Sequence, residues 1–298
     1  MSHYSNWRND YGSSFAAVEH GQVLFANGGL MKRLLTLALL CALAPATTYY
    51  VAKTGSNGNP GTFASPWLTI AHSSGVVAAG DTVYVETGTY SEGVLSFDGS
   101  SGTAANRIVI SNYQTQTVTI LGAIGIYRRH YVIQGFHVTL DSVTYANNTQ
   151  ISAIAFHDIS AVYPDSCVVR NCEATCFKSG YCAGSSGILF NDWEVCESVI
   201  GCRCHGFGAT GTGNQGHGIY TIARDCVILH DTCYGNTGVG IHEYFQAGQQ
   251  ATNRNTIAYN VCYGSVDGHS GIIVKGDTNN VHDNLTYNNT GPGLIWVL

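Results

Sequence analysis

SVIGCRCHG (Ser198–Gly206), VILHDTCYG (Val227–Gly235), TIAYNVCYG (Thr256–Gly264) and NVHDNLTYN (Asn280–Asn288) superpose without gaps. The alignment places Cys202, Asp231, Asn260 and Asn284 in one column and Cys204, Cys233, Cys262 and Thr286 in another. Asn and Asp accept tight, partly left-handed turns, and their side chains can bond to a neighbouring rung, so the first column reads as a turn ladder. Val199, Ile228, Ile257 and Val281 then form an inward aliphatic stack.

Between these strings a second motif restarts, a glycine followed by an aliphatic residue and a strand-like run. It begins at Gly187, Gly218, Gly240, Gly271 and Gly293, at intervals of 22 to 31 residues. Two strand segments per interval with no helical stretch between them mean a stack of β coils. The expected fold is all-β, a right-handed parallel β-helix of roughly eight to ten coils.

Composition agrees. The 298 residues include 36 Gly and only 5 Pro, and 11% are charged. A solenoid needs turns in every coil and buries each rung on the next, so this length does not require two domains. Met31-Lys32-Arg33, the apolar run Leu34 to Leu43 and Ala44-Pro45-Ala46 read as a secretory signal peptide over residues 31–46, too short to span a bilayer. Residues 1–30 read as an upstream, non-native leader, and 47–298 as the β-helix domain. The run Gly293 to Leu298 reads as the start of a fresh rung, which suggests truncation at the C-terminus. Leaving out Arg8, Lys32, Arg33, Asp10 and Glu19, all before Thr47, leaves 10 Lys and Arg against 17 Asp and Glu, a net of −7 with His neutral. That balance argues against nucleic acid or an anionic membrane as partner. The expected location is secreted, periplasmic or cell-surface, with a polysaccharide as partner.

Ten cysteines follow Cys41, all between Cys167 and Cys262. In an oxidising compartment they read as structural. Rungs roughly 4.8 Å apart make bridges between coils feasible, with Cys172–Cys202 and Cys204–Cys233 as candidates. Cys202-Arg203-Cys204-His205 resembles a metal knuckle, but both cysteines belong to repeat columns, so no metal is assigned.

Nearer the N-terminus, YYVAKTGSNGNPGTFASPWLTI (Tyr49–Ile70), GDTVYVETGTYSEGV (Gly80–Val94) and SGTAANRIVISNY (Ser101–Tyr113) resemble the cap and first coils of secreted proteins in the pectate-lyase-like superfamily. The resemblance implies export and a short N-terminal helical cap, expected over Trp67 to Val77. It also implies a range of activities: pectate and alginate lyases, uronate epimerases and some glycosidases. The calcium-binding aspartate cluster of several such lyases has no clear counterpart here, so no cofactor is expected, with calcium the one alternative left open.

Strand alternation from Ile219, Ile241 and Ile272 sends Tyr220, His242, Tyr244 and Lys275 outward. His217, His269 and Asp277 flank those strands, and Asn191 and Trp193 follow the preceding one. Removing the proton beside a uronic carboxylate needs a base, a proton donor for the leaving oxygen and a partner for the carboxylate; Lys, His and Tyr suit these roles. His217-Gly218-Ile219-Tyr220 also resembles the His-Gly start of the catalytic rung in mannuronan epimerases. The expected function is a polysaccharide lyase or epimerase on a uronic-acid-containing polymer, with Lys275, His242, Tyr244 and His217 catalytic. Tyr220, His269, Asp277, Asn191 and Trp193 are then substrate-binding. Two alternatives stand beside it: a non-catalytic glycan-binding or adhesin β-helix, and a glycoside hydrolase using Asp192 and Glu194 as its acid pair. Glu243 points inward by strict alternation and so needs either a bulge or a buried partner.

Overall fold

The structure, a computed structural model, describes residues 45–147, 151–157, 164–179, 181–190, 195, 197–209, 211, 216–244, 254–276 and 278–297. The expected leader and most of the signal peptide, residues 1–44, lie outside the described residues.

Each coil contributes one strand to a nine-stranded parallel sheet running from Thr48–Val51 to Asn280–His282. The remaining strands form a fourteen-stranded sheet that is two rows joined at one place. The join is the long strand Val118–Ile126. Its first half pairs with Phe136–Leu140 and its second half with Ile154–Phe156. Between the halves lies Gly122, at φ 140°, where an added Cβ would sit 1.9 Å from the Gly93 carbonyl oxygen. Only a glycine fits that close approach. From there on each coil has three faces: the nine-stranded sheet, the row that starts at Phe136–Leu140, and the row that starts at Ile154–Phe156.

The repeat register holds residue by residue. Val199 pairs with Ile228, Ile228 with Ile257 and Ile257 with Val281. The first three are fully buried and Val281 packs partly buried against them. At the corner that follows, the Cys202 amide donates to Asp231 Oδ1 at 2.6 Å, the Asp231 amide to Asn260 Oδ1 at 2.8 Å and the Asn260 amide to Asn284 Oδ1 at 2.9 Å. The amide nitrogens of Asn260 and Asn284 close the ladder by donating to the carbonyls of Ile228 and Ile257, one coil earlier. Buried backbone groups at the corner are thereby satisfied coil by coil.

The recurrent glycines have a steric cause rather than a conformational one. A Cβ on Gly218 would lie 2.5 Å from the Gly240 carbonyl oxygen and 2.7 Å from Cys233 Sγ; on Gly240 it would lie 2.6 Å from the Gly271 oxygen and 2.9 Å from Cys262 Cβ. The glycine column and the cysteine column are therefore two halves of one packing contact across the coil interior.

Two expectations change. The cap helix expected over Trp67 to Val77 is a single turn, Ala71–Ser74. Trp67 spends its backbone on Tyr50 and Ala52, so the chain is free to turn only after Ile70, where the Glu92 carboxylate accepts from the Ile70 and Ala71 amides. Among the described residues the one disulfide joins Cys176 to Cys182, while Cys172, Cys202, Cys204 and Cys233 are buried free thiols. Cysteines in register on parallel rungs have parallel Cα–Cβ bonds, so their Cβ atoms stay at the rung spacing of roughly 4.8 Å, beyond the distance a disulfide prefers. The column of Cys204, Cys233 and Cys262 is instead a stack of small apolar side chains.

Candidate functional site

Tyr220 and His242 sit side by side on the third face, because Ile219–Thr221 and Ile241–Glu243 pair in register, and the following rung, Ile272–Lys275, continues the stack. The inward neighbours Ile219, Ile241 and Ile272 are fully buried, which fixes the outward set by alternation. The Tyr220 and His242 rings are 5.3 Å apart, His242 and Tyr244 5.4 Å, and Tyr220 and Tyr244 6.1 Å. Lys275 Nζ lies 4.5 Å from the centre of the Tyr244 ring.

His217 enters from the turn before the Ile219 strand. Its ring stacks on Tyr220 at 5.1 Å and meets His242 edge-on at 4.7 Å. The Val239 amide donates to His217 Nδ1 at 2.9 Å, and His217 Nε2 lies 3.4 Å from His242 Nδ1. This chain of bonds determines both tautomers when the rings are neutral. His217 Nδ1 is an acceptor, so its proton is on Nε2 and is offered to His242 Nδ1; the His242 proton is then on Nε2. His242 Nε2 is buried and has no hydrogen-bond partner in the protein. Gly238 leaves the necessary room, since a Cβ there would lie 2.7 Å from His217 Nδ1.

Electrostatics keep both imidazoles neutral. Burial, then the charge of His269, lowers His217 to about 4; burial, then the charges of His217 and Lys275, lowers His242 to about 2. Burial and the neighbouring Tyr244 push the Tyr220 phenol up to about 12, so it keeps its proton. The arrangement sets a protonated phenol and one primary amine on a single face, beside an uncharged imidazole whose unpartnered N–H is buried.

His217, Tyr220, His242, Tyr244 and Lys275 are thus brought together, with His269 near enough for its charge to act on both histidines. Asn191, Asp192, Trp193, Glu194 and Asp277 lie outside the described residues. Glu243 is a buried carboxylate with partners: Asn255 and Asn279 each donate an amide N–H to it at 2.9 Å. Among the described residues no group of three or more His, Cys, Asp or Glu is placed to hold a metal ion.

A second polar cluster on the neighbouring face was not anticipated. Glu173 accepts from Arg203 at 2.7 Å and is bonded to His205 at 2.9 Å, with His137 Nδ1 at 3.4 Å. Desolvation raises the Glu173 carboxyl, yet the bonds to His205 and Arg203 hold it below its usual range. Extending the string alignment one coil upstream would have revealed it, since Glu173 pairs with Arg203. Beside it His205, Tyr234, Tyr263 and Tyr287 stack in series at 4.5, 5.1 and 4.8 Å. Each ring face is covered by the next, so this ladder offers edges rather than a stacking platform.

No known family model matches the chain. An uncharacterised protein of Bacillus subtilis strain 168, YwoF, is 42% identical over 73 residues, which are 24% of this chain and 15% of that protein. Among solved structures, pectate lyase Pel9A superposes with a TM-score of 0.57 at 14% identity, covering 80% of this chain and 70% of that one. The XylC complex with xylose gives 0.52 at 11% identity, covering 83% and 70%. The GH136 lacto-N-biosidase of Eubacterium ramulus gives 0.52 at 12% identity, covering 89% and 60%. The likeness establishes the parallel β-helix fold, and a fold shared by a lyase and a biosidase leaves the chemistry to the side chains.

Proposed function

We propose that this protein is a polysaccharide lyase or epimerase acting on a uronic-acid-containing polymer. The observation that carries this reading is the convergence of the His217–His242 pair, Tyr220, Tyr244 and Lys275 on one face, with the imidazole protons assigned by the backbone of Val239.

The roles follow from what each group can give. His242 holds a neutral, buried Nε2–H, so it is not the base; it donates to the uronate carboxylate, and to the charge that grows on it, once the rings beside it shift to uncover that atom. His217 orients His242. Lys275 takes the proton from the ring carbon next to the carboxylate. In elimination the freed electron pair forms a carbon–carbon double bond as the bond to the glycosidic oxygen breaks. That oxygen leaves with a proton from Tyr220 or Tyr244. In epimerisation the proton returns from the opposite side and the glycosidic bond stays.

Export is part of this proposal. The Cys176–Cys182 disulfide fits an oxidising compartment, and among the described residues no helix is long and apolar enough to cross a membrane. The test is incubation with a panel of polyuronates, following the ultraviolet absorbance of an unsaturated product for elimination and proton exchange with deuterated water for epimerisation. A panel with neither signal rules the reading out, and glycan binding without turnover would favour the adhesin alternative.

A further inference from the structure

A hollow of about 420 Å³ opens on the same face as the candidate site, toward the N-terminal end of the solenoid. Beneath it runs the outward row of the third face where that row is smallest, with Gly125 and Ala155 buried. Gly125 pairs with Ala155, Ala155 with Leu189, Leu189 with Tyr220 and Tyr220 with His242. The row therefore rises from a glycine and an alanine, through a leucine, to the two large rings of the site. Three rungs separate Ala155 from His242, roughly 14 Å at the strand spacing of a sheet. Two positions along the same strands, Tyr127 and His157 stack at 5.2 Å and 24° and form one wall. Gly125 leaves room for that wall: a Cβ there would lie 2.7 Å from the Tyr127 ring. Ser96 and Ser152 add hydroxyls to the lining.

The lining chemistry differs from that of the candidate site. Among the residues described around the hollow there is no Lys, Arg, Asp or Glu. The edges of the stacked Tyr127 and His157 rings and the hydroxyls of Ser96 and Ser152 suit the hydroxyl edge of a sugar ring. Such a lining gives a carboxylate no Lys or Arg to pair with, and desolvating it without a cation is costly. We infer that this hollow binds an uncharged sugar ring of the same polymer whose uronate lies at His242 and Lys275. The inference rests on the function proposed above and narrows the substrate class to a heteropolysaccharide carrying neutral and uronic sugars a few rings apart.

The test is calorimetric titration of the full-length protein with neutral hexasaccharides of glucose, mannose, galactose and xylose, and with hexagalacturonate, alongside polyuronate turnover. At least one neutral hexasaccharide is expected to bind. Ala155→Leu, which fills the floor, and Tyr127→Ala, which removes the wall, should each weaken that binding about tenfold or more. The two variants approach the hollow from opposite directions, so a folding defect in one leaves the other informative. No neutral binding, or neutral binding indifferent to both substitutions, overturns the inference even if polyuronates are turned over. Neutral binding lost in both variants, with no polyuronate turned over by the wild type, keeps the hollow as a sugar site and removes the lyase reading.

Discussion

Lys275 and Asp231 show how one residue acts through its place in the stack. Lys275 projects from the third face onto Tyr244 and away from the interior. Lys275→Ala is expected to lower polyuronate turnover by about 10² or more, the usual contribution of one acid or base, with little change in melting temperature; unchanged turnover would refute its role. Asp231 is the reverse case, a fully buried carboxyl in a ladder otherwise continued by Asn260 and Asn284. Burial raises it well above the usual carboxylate range, and Oδ2 has no partner. By register the carbonyl one coil earlier is that of Val199, the place where Asn260 finds Ile228. Asp231→Asn puts an amide that needs no proton uptake in place of a carboxyl that must stay protonated when buried, and should stabilise the protein by about 1–3 kcal/mol at pH 7. The gain should shrink as pH falls through the ordinary value of 3.8 and vanish at about pH 2.5, where the native carboxyl and its unfolded counterpart are both protonated, and chemical denaturation at pH 7 and at the lower pH measures it.

At the scale of the element, the glycine that opens each third-face strand and the cysteine opposite it share one space. Gly218→Ala would drive a methyl group into the Gly240 carbonyl and the Cys233 sulfur. Overpacking of this kind costs about 1–3 kcal/mol, and urea unfolding of the variant should show it as a lowered midpoint at unchanged slope. If the loss is real contact, Gly218→Ala combined with Cys233→Ala should recover part of it. The same stack decides the thiol chemistry. Cys204, Cys233 and Cys262 are fully buried, and burial pushes the Cys262 thiol well above its usual range. Peptide mapping of unreduced protein, alkylated after unfolding, should return a Cys176–Cys182 bridge and unbridged Cys172, Cys202, Cys204 and Cys233. A Cys204–Cys233 cross-link would contradict the stacking.

Over the whole molecule the buried titratable groups oppose one another. Glu197 and Asp231 hold their protons in the fold, with carboxyls raised by burial above ordinary values of 4.5 and 3.8. His217 and His242 refuse theirs, having fallen from 6.5 to about 4 and about 2. Between pH 4.5 and 6.5 the unfolded chain binds more protons at the histidines and fewer at the carboxyls, so the two pairs cancel. Above pH 6.5, and below the range where thiols and phenols titrate, only the carboxyls differ. The unfolded state then binds fewer protons than the native state, and stability falls as pH rises, by up to about 1.4 kcal/mol per pH unit for each group until its native value is passed. Melting temperature should therefore decline above pH 6.5, and Asp231→Asn with Glu197→Gln should flatten that decline. A wild-type curve that rises there would show that neither carboxyl is protonated in the fold.

The strings from Ser198 to Asn288 determined the coil, its register and the outward set Tyr220, His242, Tyr244 and Lys275, because strand alternation and turn residues are local and repeat in sequence. They also exposed the Asn ladder, whose bonds run between equivalent positions of successive coils. What only the tertiary structure decided depends on directions and distances across the coil. The bend at Gly122 that creates the third face depends on the Gly93 carbonyl, and the choice of Cys176–Cys182 depends on where the Cβ atoms point. The protonation of His242 is set by the Val239 amide, two hydrogen bonds away, and the hollow at Ala155 by how the Tyr127 ring folds over Gly125. Residue type and spacing carry the periodic part of this molecule. Its chemistry is carried by single hydrogen bonds and single absent side chains, which leave no period to read.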